Sequence, residues 1–354
     1  MQASAVPEIV SAPPLDLQPL DSHGLDHAEC SAPASGTPPL FIKAVAGAFE
    51  TASDVLDWGR RHRTILDALI LEHGGIVLRD FPIRTSKDFD TVIAAFPAYK
   101  LGYIGGAGPR SKITGKVMEA TQLNQNLGLT LHSEMGYTRT FPQRIAFFCL
   151  KPAEVGGETT IGSLRELMCR LPAGLKEKLE RCGARTIRNF ARAGASQGRR
   201  VEDHPDNRGW DDAFATDDPR QVEAYCATMG MDAIWNEDGS LTLICEQDTH
   251  TTHPQTGERI YRSQMHTNAH FASSDSKAVT QALRAAQKRP SRHEMLNGEE
   301  LPLGDCETIA AILREVTVAW PWHAGDTMIL DNLLVAHGRN PYSGTRDTQV
   351  ALLE

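Results

Sequence analysis

The chain has 354 residues, 41% of them hydrophobic and 23% charged, which is ample apolar material for a sizeable core. A formal net charge of -9 argues against a general nucleic-acid-binding surface. Seven cysteines with no Cys-x-x-Cys pair exclude a thiolate zinc site and a disulfide framework.

Reduced thiols in a cytoplasmic protein are the expectation. No apolar run reaches the roughly 18 residues of a membrane span, and no basic-then-apolar secretory segment opens the chain.

Residues 1–38, rich in Pro, Ala, Ser and Asp, read as a disordered arm, and 39–354 as a single domain. From Ser53, a candidate cap, the residues Val55, Trp58, Ile65, Leu66, Leu69 and Ile70 form a helical stripe that Gly74-Gly75 ends. Ile76-Val77-Leu78 reads as a buried strand. Thr85 or Ser86 caps a second helix carrying Phe89, Val92 and Ile93. Residues 101–116 are glycine-rich but lack the pattern of a phosphate loop, and read as a mobile loop at a site mouth.

Ile145 to Leu150 is an unbroken apolar run, the mark of a central strand. A turn at Gly156-Gly157, a strand at Glu158–Ile161 and a Ser163/Glu166 capping box follow. A helical piece spans Pro172 to Cys182. Residues 183–215 are polar and glycine-rich and read as a long exposed loop, a lid. Asp218-Pro219 opens a helix that Gly230 closes. Short strands at Leu241–Ile244 and Ile260-Tyr261 precede helices from Ser274 or Ser276 to about Lys288 and from Thr308 to Glu315. Strands at Val316–Trp320, Thr327–Leu330 and Val350–Leu352 end the chain. Such short strands with helices at the flanks predict a mainly β fold with a double-stranded β-helix, or jelly-roll, core.

The chemistry centres on Leu131-His132-Ser133-Glu134-Met135. On a strand, residues two apart share a face, so His132 and Glu134 can grip one divalent metal. A third ligand is needed, and His337 is the best candidate. Two histidines and one carboxylate on one face of a metal form the arrangement of non-haem Fe(II) oxygenases. A zinc hydrolase uses the same set and stays open as the alternative. Rival pairs are His250/His253 and His266/His270, the latter without the acid of a His-Glu-x-x-His motif. Arg346 lies nine residues after His337, beyond turn signals at Asn340-Pro341 and Ser343-Gly344. A reversal there brings it near His337, where its planar fork can hold a carboxylate.

These pieces, with Gly156-Gly157-Glu158-Thr159, Trp322-His323-Ala324-Gly325-Asp326 and Leu330-Asp331-Asn332 in this order, resemble the taurine dioxygenase (TauD/TfdA) family, most nearly its SyrP-like branch. The resemblance runs from about Gly74 to the C-terminus. It implies an Fe(II)- and 2-oxoglutarate-dependent dioxygenase that also consumes O2. His132, Glu134 and His337 would be the iron ligands, and Thr159 and Arg346 would hold the far carboxylate of 2-oxoglutarate. Related halogenases carry a small residue where Glu134 stands, so hydroxylation is implied, with desaturation or epoxidation as alternatives. The apolar Val350 and Ala351 stand where some relatives have a further arginine, which disfavours a sulfonate substrate such as taurine. Arg262, in Tyr261-Arg262-Ser263-Gln264, departs from the usual Trp-Phe-Asn-Gln and makes Arg262 and Gln264 the candidate substrate contacts. The branch points to an amino acid or an amino-acid-derived natural-product intermediate, free or tethered to a carrier protein.

Overall fold

The computed structural model describes residues 9–106, 110–120, 124–195, 208–268 and 290–354. Two facing sheets carry the site. The major sheet has nine strands, in the order Leu17–Leu20, Ala28–Pro33, Leu40–Ala44, Gly75–Arg79, Thr327–Asp331, Arg144–Lys151, Asp347–Leu353, Val117–Glu119 and Lys112–Thr114. The minor sheet has four: Thr317–Val318, Thr159–Ser163, Val335–Arg339 and Leu129–His132. Neighbours are antiparallel except Leu40–Ala44 with Gly75–Arg79. A further four-stranded sheet, Asp232–Trp235, Leu241–Gln247, Ala184–Phe190 and Ser291–Glu294, lies beside them. The fold is the expected mainly β, jelly-roll architecture with helices at its flanks.

The apolar run at 145–150 is unbroken because both faces of its strand are covered. Ile145, Phe147 and Cys149 join the cluster between the sheets, while Ala146 and Phe148 join a second cluster under the helices. Phe148 stacks on Phe89, with ring centroids 5.1 Å apart. Val350 and Ala351 divide between the same two clusters, so neither presents a polar group to either side.

Several expectations change. The helix expected from Ser53 is two, Ala52–Arg61 and Arg63–His73, broken at His62. Thr51 is the cap, forming a reciprocal capping box with Asp54. Thr85 caps the Ser86–Ile93 helix as expected.

The supposed arm is ordered from within: Leu17–Leu20 and Ala28–Pro33 form the edge of the major sheet. Leu25, Ala28, Cys30 and Ala32 are buried there, an alternation too sparse to stand out in a Pro- and Ser-rich stretch. The supposed lid is also corrected. Its first part is the Ala184–Phe190 strand, paired on both sides, and its last part is the Trp210–Phe214 helix. Residues 196–207 lie outside the described residues, as do the expected helix from 274 to 288 and His270. No helix among the described residues is long and apolar enough to cross a membrane. All seven cysteines are free.

Candidate metal centre

His132 ends the edge strand of the minor sheet, and its register partner on the adjacent strand is His337. Directly opposed residues of antiparallel strands share a face, so both imidazoles point between the sheets. Their ring centroids are 4.5 Å apart, at 52°. Glu134 lies just past the strand end, in a turn rather than on the strand as expected. The next residue, Met135, takes a left-handed φ of 55°, which turns the chain. One ligand atom from each of His132, Glu134 and His337 lies within 4.8 Å of the others. Glu134 Oε2 is 3.5 Å from His337 Nε2.

The turn is braced from three directions. Asn332, fully buried, accepts the Glu134 N–H at 2.7 Å and donates to the Glu134 carbonyl at 3.0 Å and to the Pro142 carbonyl at 2.8 Å. Arg262 donates to the carbonyls of Met135 and Thr138, at 3.0 and 2.6 Å, and to Gln247 Oε1 at 3.1 Å. Its guanidinium lies over the Phe141 ring, and burial pushes it down to about 9. Gln264 donates to the Ser133 carbonyl at 3.2 Å. Arg262 and Gln264 were expected toward the substrate; their bonds go instead to the backbone around the ligand turn and to Gln247.

The protonation states suit a divalent ion. His132 Nδ1 donates to the Thr130 carbonyl at 2.8 Å, which leaves Nε2 as the lone-pair donor. Burial, then the neighbouring His337, pushes the His132 imidazole down to about 4. Burial opposes the charge on Glu134, but Arg110 and His337 outweigh it and hold the carboxyl well below the usual range. Phe147 packs edge-on against His337, at 5.1 Å, and keeps one side of the ring dry. Two imidazoles, that of His132 held neutral, and an ionised carboxylate match the donor set of a non-haem iron site.

Sequence reasoning missed Arg110. Its Nη2 donates to Glu134 Oε2 at 2.7 Å from the glycine-rich 101–116 stretch, the segment expected at the site mouth. It missed the role of Asn332 as well, although Leu330-Asp331-Asn332 stood out as a motif.

On the same face as His337, two register pairs along, the buried Thr159 stands opposite Arg339. Arg346 donates through Nε to the Gly157 carbonyl at 2.7 Å. Gly157 has a φ of 74°, and a Cβ there would sit 3.1 Å from Arg346 Cδ and 2.9 Å from Tyr342 Cβ, so glycine is required for this approach. Burial, with the like charge of Arg339, pushes Arg346 down to about 10. No carboxylate among the described residues makes an ion pair with it. A half-buried guanidinium with no carboxylate partner in that position is matched to an anion from outside the chain.

The three rival histidines among the described residues are structural. His253 accepts the Gln255 and Thr256 N–H groups at Nδ1 and donates to Asp331 at 3.0 Å. His266 donates to the Leu131 carbonyl, and His250 bonds Thr249.

Comparison with known proteins agrees with this geometry. Residues 42–352 match the family model described as taurine catabolism dioxygenase TauD, TfdA family. The chain belongs to the TauD/TfdA family. It is 28% identical over 296 residues to the dapdiamide synthesis protein DdaC of Enterobacter agglomerans, covering 82% of this chain and 84% of that protein. It is also 28% identical over 298 residues to a clavaminate synthase-like protein of Arabidopsis thaliana, covering 81% and 83%. Among solved structures it resembles PvcB, an Fe, alpha-ketoglutarate dependent oxygenase from an isonitrile synthetic pathway, known from Pseudomonas aeruginosa. That match has a TM-score of 0.51 at 14% identity, over 98% of this chain and 94% of the other, and shows the shared fold. As a TauD/TfdA protein the chain is an Fe(II)- and 2-oxoglutarate-dependent dioxygenase, which sets aside the zinc-hydrolase alternative.

Proposed function

We propose that His132, Glu134 and His337 hold Fe(II), that Thr159 and Arg346 hold the far carboxylate of 2-oxoglutarate, and that the enzyme hydroxylates a small polar substrate. The substrate class is an amino acid or an amino-acid-derived natural-product intermediate, free or carrier-tethered, in the cytoplasm. Bound Fe(II) with 2-oxoglutarate and O2 supplies oxidative decarboxylation to succinate and CO2, coupled to removal of a substrate hydrogen. The rest is the protein's work. His132 is oriented by Thr130, and the Glu134 turn is fixed by Asn332, Arg262 and Gln264, which we read as positioning residues. Phe147 excludes water beside His337.

The observation that carries the reading is the carboxylate of Glu134 beside two histidines. It fills the place that a halide would need, and so favours hydroxylation. The amino-acid assignment is supported by the similarity to a dapdiamide synthesis protein and by the SyrP-like resemblance. Succinate formation from 2-oxoglutarate tests the reading. Arg346→Lys should raise the KM for 2-oxoglutarate sharply, because a lysine cannot reproduce the planar fork. An unchanged KM in Arg346→Ala would refute the clamp. A product 16 mass units heavier than substrate marks oxygen insertion by hydroxylation or epoxidation, and a loss of two marks desaturation (a mass change fixed by the chemistry, roughly one oxygen or two hydrogens).

A further inference from the structure

Beside the metal ligands lies a group of charges that the iron and 2-oxoglutarate assignments do not use. Arg110 has a side-chain exposure of 5%, and Glu134 is its one carboxylate among the described residues. Its Nε and Nη1 are buried without a partner, and its guanidinium lies 4.1 Å over the Tyr103 ring. Arg188, on the Ala184–Phe190 strand, is also buried. It donates to the Gly105 carbonyl, lies 4.1 Å over the Tyr137 ring, and makes no ion pair with any described carboxylate. The Tyr137 hydroxyl is buried without a partner. Arg110 stacks on Tyr103 and Arg188 bonds the carbonyl of Gly105, two residues on, so both arginines meet the same stretch of chain beside Glu134.

The charges do not balance. Two buried guanidiniums have one carboxylate partner between them, Glu134 on Arg110, and that carboxylate is also a candidate ligand of a metal dication. 2-Oxoglutarate is already matched to the metal and to Arg346. Buried charge is costly unless it is paired. Resting on the function proposed above, we infer that Arg110, with Arg188 and the Tyr137 hydroxyl, seats a carboxylate of the substrate, so that the compound oxidised is bound as a carboxylic acid anion. The guanidinium fork matches a planar carboxylate, and its aromatic platform fixes its orientation. Val350 and Ala351, buried in the two apolar clusters, offer no alternative anion clamp.

Thermal shift of the full-length protein loaded with Mn(II), with and without 2-oxoglutarate, tests this seat. The probes are free L-amino acids, their carboxamides, and taurine. At least one amino acid should raise Tm while its carboxamide and taurine do not. Arg110→Gln should weaken binding of that acid at least roughly tenfold, as expected for a lost charge-assisted bond, and Arg110→Lys should restore part of it. Arg188→Gln, which leaves the Arg110–Glu134 pair in place, should keep the Tm rise given by 2-oxoglutarate and lose the acid preference, so folding is reported apart from the seat. The proposal is overturned if no acid in the panel shifts Tm, if a carboxamide shifts it equally, or if Arg110→Gln retains the preference. Loss of the 2-oxoglutarate shift in Arg188→Gln would place this cluster at the co-substrate and also overturn it. If wild type shows no 2-oxoglutarate shift, the function proposed above fails. The acid-against-amide comparison on Mn(II) protein still reads the seat independently.

Discussion

Glu134 carries both the metal site and its electrostatics, yet little of what fixes it lies beside it in sequence. Asn332, 198 residues away, both accepts from and donates to the Glu134 backbone, and ties it to the Pro142 carbonyl. Asn332→Ala should therefore cost about 1–3 kcal/mol of stability, because buried backbone groups lose their partners. It should also weaken Mn(II) binding roughly 10–100-fold, as outer partners of ligands do. Titration of metal into the purified variant checks this; wild-type affinity would show that the turn holds itself. His132 and Glu134 were legible as a pair because ligand type and spacing are local properties, whereas His337 stood only as the best candidate for the third place until the fold set it opposite His132. Arg110 was not, since its value comes from a contact with Glu134 that only the folded chain makes. Arg262 was noticed as unusual, but sequence gives no sign of whether a guanidinium meets a ligand or a carbonyl.

Among the elements, those with one dominant period were readable: the Ser86–Ile93 helix, the Arg144–Lys151 strand, and the Pro219–Met229 helix between its Asp218 cap and Gly230. The Ala184–Phe190 strand was hidden because Thr186 and Arg188 are polar yet buried. A reading by composition takes such residues for solvent-facing ones. The N-terminal segment was misread for a related reason. Beyond its sparse alternation of buried residues at 28, 30 and 32, it is held by individual hydrogen bonds. The Ala12 N–H donates to Glu158 Oε1 at 2.8 Å, and Ser11 Oγ accepts the Gly156 N–H at 2.9 Å. Glu158 also accepts from Asn340. The segment therefore braces the Gly156–Thr159 turn that carries Thr159 and touches Arg346. Removing residues 1–14 should raise the KM for 2-oxoglutarate several-fold with kcat little changed. Steady-state assays at varied 2-oxoglutarate check this, and identical constants would show that the segment is a bystander.

At the scale of the whole molecule, burial of neutral histidines sets the acid limit of stability. Desolvation pushes His250 and His266 down to about 4 from 6.5. Between these values the unfolded chain binds more protons than the folded one, so stability falls as pH drops through this window. Above pH 6.5 both states hold these imidazoles neutral and the contribution has no slope. The Tm should follow that course, and His266→Gln, which can still donate to the Leu131 carbonyl, should flatten part of the decline. An unchanged slope in the variant would assign the acid limit to other groups.

The two-sheet frame has a more direct consequence. The register that sets His132 opposite His337, and the turn that returns Glu134 beside them, together define one metal site. The decisive measurement is a crystal structure of the protein prepared anaerobically with Fe(II) and 2-oxoglutarate. The account predicts iron bonded at about 2.1 Å to Nε2 of His132, to Nε2 of His337 and to a carboxylate oxygen of Glu134, the usual length for such ligands. Iron bound elsewhere, or bound without any one of these three side chains, would contradict it.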